Sequence, residues 1–207
     1  MAHDVAIVGA GIAGASLAAE LAPHARVLLL EAEVRAGYHA TGRSAAFWSE
    51  SYGGPAVQPL TTASGAMLRP YLEPMGSLHV GRADEAAAID AFIAEFAGTG
   101  VALHPVDPRA RIPGLRPEWT LGVFEPSCEY IDVGGLHGDM LAAAKRAGAE
   151  LLTDAGLLSA RRADGGWKLE TRAGPFDAAI LVNAAGAWAD PVAEMAGAKP
   201  LGIRPYR

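Results

Sequence analysis

"DVAIVGAGIAGASLAAELA", residues 4–22, is the stretch that sets the fold of this chain. Its first six residues form a short apolar run, with Val5, Ile7 and Val8 beside small residues, the composition of a buried strand. The run passes into Gly9, Gly11 and Gly14, a GxGxxG spacing, and then into a helical pattern. Each glycine answers a different demand. Gly9 permits a tight turn, Gly11 lets main chain approach a pyrophosphate, and Gly14, with Ala18, lets the helix lie close on the sheet. The start of that helix offers N–H groups and a positive dipole end to such an anion.

Moving outward, "RVLLLEA" (26–32) reads as a second buried strand ending in Glu31, 17 residues after Gly14. A carboxylate at that tip can accept hydrogen bonds from both ribose hydroxyls of an adenosine and would repel a 2′-phosphate. Strand, glycines, helix, second strand and terminal acid occur in order, which points to a bound ADP-containing dinucleotide. NAD and FAD share this geometry, so the fingerprint leaves both open.

Further along, "FDAAILVNAAGAWAD" (176–190) is a strand that ends in Ala184, Ala185 and Gly186 before another helix. Near-absent side chains there imply close approach of backbone to something. "NAAG" alone suggests a short-chain NAD dehydrogenase, but no tyrosine is followed by lysine four residues on. Helical patterns fall at 55–74, 84–98 and 132–150, strands at 77–81, 101–106 and 119–126, and further strands flank a "DGG" turn at 164–166. The expected fold class is α/β: a Rossmann-like domain from 1–75 and 133–207, with an α+β lobe inserted at 76–132.

Bulk composition narrows the class. The 207 residues are 51% hydrophobic and 19% charged, which favours a large core. A net charge of −6 without basic runs argues against nucleic acid and anionic membrane surfaces. No stretch approaches membrane-spanning length, and one cysteine, Cys128, forms no internal disulfide; a cytoplasmic protein is expected. The six histidines lack ligand spacing, so no metal site is expected, and His137 reads as structural within its helix.

The remaining segment, "GYHATGRSAAFWSESYGG" (37–54), mixes small residues, an arginine and aromatics. With "VGAGIAGASLAAEL", Glu31, "EYIDVGGLHGDMLAAAKRAGAEL" and "LVNAAGAWAD", it resembles the FAD-dependent oxidoreductases of the D-amino-acid oxidase superfamily, and is most similar to the bacterial D-arginine dehydrogenase type. The resemblance implies that 40–47 wraps the flavin. It implies FAD contacts at Gly9, Gly11, Ala13, Gly14, Glu31, Ala32, Thr41, Gly42, Arg43, Ser44, Ala45, Ala155, Ala185 and Gly186. Phe47, Trp48 and Tyr52 would line the substrate side, with Tyr52 as the candidate catalytic residue. Phe47 and Ser77 stand where that type carries a histidine and a carboxylate, so a neutral side chain or secondary amine is expected rather than D-arginine.

The implied reaction is oxidation of a D-amino acid or related amine to an imine, which hydrolyses to a 2-oxo acid and ammonia. The electron acceptor stays open. Glycine or sarcosine oxidase-like, glycerol-3-phosphate dehydrogenase-like and inactive FAD-binding readings stand as alternatives. Family members continue well over a hundred residues beyond "LGIRPYR", so the chain is expected to be a truncated form or one completed by a partner.

Overall fold

The computed structural model describes residues 2–163 and 165–203; Asp164 of the expected turn and the final "RPYR" lie outside the described residues. The chain begins β1 (His3–Val8), α1 (Ile12–Leu21) and β2 (Val27–Leu30). It continues β3 (Phe47–Trp48), α2 (Gln58–Leu68), β4 (Leu72–Pro74), β5 (Ser77–Arg82), α3 (Ala86–Glu95) and β6 (His104–Val106). Then come α4 (Pro108–Arg111), β7 (Trp119–Glu125) and β8 (Glu129–Ile131). It closes with α5 (Val133–Arg146), β9 (Glu150–Leu152), β10 (Leu157–Ala163), β11 (Gly166–Thr171), β12 (Gly174–Asn183) and α6 (Ala189–Met195). Two compact units result, one from Met1–Ser44 with Val133–Arg207, the other from Ala45–Asp132.

The first unit holds a six-stranded sheet in the order β10-β11-β12-β1-β2-β9. Strands β12, β1, β2 and β9 run parallel, and β10, β11 and β12 form an antiparallel meander. The period-two alternation of a strand explains why β1 and β2 are apolar throughout. Val5, Ile7, Val27 and Leu29 cluster with Ala18 and Ala22 and with Ala144 of α5. Their neighbours Ala6, Val8, Leu28 and Leu30 cluster instead with Leu157, Leu169, Ala178 and Val192 of α6. Each fully buried leucine of β2 contributes about 2 kcal/mol by removal from water, and alanines on the inner faces of α1 and α5 allow close helix packing.

The second unit carries two three-stranded antiparallel sheets, β3-β8-β4 and β5-β7-β6. The expected divide at residue 75 differs from the observed one, because β8 pairs with both β3 and β4: Phe47 lies opposite Tyr130, and Leu72 opposite Ile131. That pairing draws 45–75 into the second unit. Strands of two or three residues show no hydrophobic period, so nothing in the sequence announced them.

Candidate cofactor-binding site

In the first unit, the carboxyl ends of β1, β2 and β12 meet. Gly9 N–H donates to the Leu30 carbonyl at 2.8 Å, and Ala184 N–H donates to the Val8 carbonyl at 2.8 Å. Gly9 has φ +103, and a Cβ there would also strike Ala184 and lie 2.9 Å from the Ala185 Cα. A Cβ on Gly14 would run into the Gly9 carbonyl oxygen. The turn and the helix thus fit only because these two side chains are missing.

Gly11 is different. Its φ of −71 is ordinary, and the nearest neighbour of a Cβ would be the Thr41 hydroxyl at 3.1 Å. That hydroxyl accepts the Ile12 N–H at 3.0 Å, so Thr41, 29 residues away, caps α1. The first bond inside the helix is Ala15 N–H to Gly11 carbonyl, 2.9 Å. Of the four N–H groups that a helix start leaves over, those of Gly11, Ala13 and Gly14 therefore face outward for an acceptor.

Glu31 is buried to 8% exposure, with Oε2 accepting the Ala10 N–H and Oε1 the Glu33 N–H, each at 3.0 Å. A carboxylate oxygen has two lone-pair positions, so each can still accept a hydroxyl. The buried Ala155 donates its N–H to the Glu31 carbonyl at 2.8 Å. Beside it the Arg172 guanidinium donates to the Ala32 carbonyl and pairs with Asp154 at 3.1 Å, over a Gly156 that leaves room for it. Arg172 was not expected here; it lies on a hairpin where an arginine carries no spacing signal.

The segment after Glu31 is fixed by its own contacts. Gly42 N–H donates to the Gly37 carbonyl at 2.7 Å, and Arg43 Nε donates to the Tyr38 carbonyl at 3.2 Å with its guanidinium over the Tyr38 ring. His39 Nε2 pairs with Glu33 at 2.8 Å, and its ring lies 4.4 Å from that of Trp188, in the turn that follows Ala185. Thr41, Gly42, Arg43, Ala185 and Gly186 are thus brought to the same end of the sheet as the three glycines. Ser44 ends this unit.

Ala45, Phe47 and Tyr52 belong to the second unit. Phe47 and Tyr52 are exposed, at 46% and 73%, and their rings meet edge to face at 6.0 Å. Trp48, expected beside them, is instead buried: its indole N–H donates to the Thr61 carbonyl at 2.8 Å and its ring covers Gly65. Strand alternation sends residue 48 to the face opposite 47.

A carboxylate holds the Tyr52 loop. Glu125 is fully buried; Oε1 accepts the Glu50 N–H at 2.8 Å, and Oε2 accepts the Ser51 and Ser49 hydroxyls at 2.5 and 3.0 Å. Burial pushes its carboxyl upward, but His79, Ser51, Ser49 and the Glu50 N–H outweigh it and hold it at about 2. His79 acts across 3.9 Å, an ion-pair distance. Cys128 is buried, and desolvation with the charges of Glu125 and Glu129 pushes its thiol up to about 11, so it is no nucleophile. Among the described residues no helix is long and apolar enough to cross a membrane.

His137, read from the sequence as structural, makes a contact that the sequence did not show. It lies on α5, buried, with Nε2 2.8 Å from the Ala10 carbonyl. A signal existed: His137, Leu141 and Ala144 fall at i, i+4 and i+7, so the imidazole opens the apolar stripe that packs inward.

A family model described as FAD dependent oxidoreductase matches residues 4–207. The chain is 28% identical over 229 aligned positions to the tRNA 5-methylaminomethyl-2-thiouridine biosynthesis bifunctional protein MnmC of Shewanella amazonensis, covering 99% of this chain and 32% of that protein. It is 29% identical to human mitochondrial dimethylglycine dehydrogenase, over 94% of this chain and 24% of that one. Glycine oxidase from Geobacillus kaustophilus superposes with a TM-score of 0.79 at 25% identity, over 93% of this chain and 58% of the oxidase. The chain therefore spans about a quarter to a third of the length of these two curated relatives, MnmC and dimethylglycine dehydrogenase.

Proposed function

We propose, from the premise that this chain belongs to the FAD-dependent oxidoreductase family, that it carries the cofactor-binding half of an enzyme oxidising an α-amino acid or related amine. FAD is the family's cofactor, and the residues present fit it. Gly9 and Gly14 make a turn that a Cβ would fill, and at Gly11 a Cβ would meet only the Thr41 hydroxyl, at 3.1 Å. When bound, FAD would supply the acceptor for the two electrons removed as the substrate C–N bond is oxidised to an imine. Water then hydrolyses the imine to a 2-oxo acid and ammonia.

The chain's own residues do the rest. Outward N–H groups at the start of α1 take the diphosphate, and Glu31 accepts the ribose hydroxyls. The backbone of Ala32 and Ala155 would hold the adenosine half. Thr41, Gly42, Arg43, Ser44 and Ala45 would hold the flavin ring system, the small side chains leaving main-chain N–H groups free to approach it. Tyr52 orients the amine or carboxylate of the substrate, and Phe47 offers an apolar wall. A wall without counter-charge favours neutral side chains or secondary amines over D-arginine, because a desolvated guanidinium is costly.

The similarity to glycine oxidase and dimethylglycine dehydrogenase supports an amine substrate. The observation that carries the reading is the doubly anchored, buried Glu31 beside Gly9 and Gly11. The test is to purify the chain, extract its chromophore, and then mix the flavin-loaded protein anaerobically with glycine, sarcosine, D-proline, D-leucine, D-arginine and glycerol 3-phosphate. Flavin in the extract, with bleaching by a neutral or secondary amine, is the expected result. A nicotinamide in the extract, or bleaching by D-arginine or glycerol 3-phosphate alone, overturns it.

A further inference from the structure

We infer that His137 is a positioning residue for the cofactor diphosphate: its ring, bonded to the Ala10 carbonyl, aims the Gly11 N–H at the anion. This rests on the FAD reading above. A carbonyl oxygen can only accept, so Nε2 must carry a proton and donate across the 2.8 Å gap. The ring packs against Gly37, where a Cβ would lie 2.7 Å from the His137 Cε1. Gly37 itself has φ +74, a conformation that glycine tolerates.

The consequence follows from peptide geometry. The Ala10 carbonyl and the Gly11 N–H belong to one planar trans unit, so they point in opposite directions. Anchoring the oxygen on His137 therefore fixes where the Gly11 N–H points, away from α5. The preceding peptide is fixed too, because the Ala10 N–H is held by Glu31 at 3.0 Å. No acceptor among the described residues takes the Gly11 N–H. One buried imidazole and one buried carboxylate thus clamp the two peptides of Ala10, and the donor between the first two glycines is set before any ligand arrives. Preorganised donors bind anions better than donors that must be oriented on binding.

The test uses the 207-residue chain and three probes: FAD, ADP and adenosine, each titrated by calorimetry. His137→Leu removes the donor and keeps an apolar volume; His137→Gln keeps an N–H close to the Nε2 position. The expected result is that His137→Leu weakens ADP and FAD about tenfold or more, the worth of a charge-assisted hydrogen bond, while adenosine changes less than about threefold. His137→Gln should stay near the original ADP affinity. A merely structural role would weaken ADP and adenosine alike, so an unchanged ADP-to-adenosine ratio in His137→Leu overturns the inference, as does a His137→Gln loss equal to that of leucine. Should the leucine variant not fold, His137→Asn, whose amide stops short of Ala10, carries the same comparison. An original chain that binds neither ADP nor FAD overturns the cofactor reading itself, and the inference with it.

Discussion

The glycine corner of the first unit and the carboxylate beneath the Tyr52 loop are both buried polar arrangements, but they are made of opposite materials. The first is built from backbone and from missing side chains: Gly9 and Gly14 exclude any Cβ, and helix and strand ends supply the donors. The second is built from side chains brought together across the sequence, Glu125 reaching Ser49, Glu50 and Ser51 some 75 residues away. Backbone sites demand particular residues at particular spacings. Side-chain sites demand only that partners meet after folding, and several sequences could satisfy them.

The largest expected effect tests the backbone half. Gly14→Ala places a Cβ against the Gly9 carbonyl, so α1 must lift from the sheet and disturb the packing of Ala18 and Ala22 on Val5 and Ile7. A loss of about 4 kcal/mol in urea denaturation is expected, together with loss of FAD binding. A Gly14→Ala protein within 1 kcal/mol of the original, by the scale of ordinary core changes, would break the contrast drawn here.

Next comes the side-chain half. Glu125→Ala leaves two hydroxyls and the Glu50 N–H buried without their acceptor, which costs about 3 kcal/mol. The damage should be confined to the second unit, so ADP titration of the first should be unchanged.

That division also governs what was legible in advance. The α/β class, the glycine turn, Glu31, and the strand ending at Ala184 and Ala185 were readable, because hydrophobic period and glycine spacing are local properties. Thr41 was marked as a polar ligand for the flavin, yet its cap on Ile12 depends on a fold that returns residue 41 to residue 12. His137 was read as structural, but its partner, a carbonyl 127 residues away, could not be read in advance. Trp48 read as a core residue by type and as a substrate-side residue by resemblance, and a two-residue strand gives no run long enough to show which face it takes. Glu125 carried no signal at all, since one carboxylate at a strand end is ordinary.

Acid gives a milder probe of the same carboxylate. Its folded value, about 2, lies below the ordinary 4.5, so the folded state favours the charged form. The stability this provides is complete above pH 4.5 and is lost as pH falls from there toward 2. Urea midpoints should drop across that window, and Glu125→Gln, which cannot titrate, should drop less. Equal slopes for the two proteins would show that other groups drive the acid sensitivity.

The smallest effect sharpens the comparison most, because it splits the glycine motif itself. Gly11 has φ −71 and ψ −173, extended backbone that alanine adopts without strain. A Cβ there meets only the Thr41 hydroxyl, at 3.1 Å, which the side chain can relieve by a small rotation. Gly11→Ala should therefore leave urea stability within about 0.5 kcal/mol. The same methyl crowds the Thr41 hydroxyl at the helix start where the diphosphate is proposed to bind, so FAD affinity should fall about tenfold, roughly 1.4 kcal/mol. Gly14 would then serve the fold and Gly11 the ligand. A Gly11→Ala chain that binds FAD normally would mean that the diphosphate lies elsewhere, and a chain that unfolds would mean that all three glycines are there for packing.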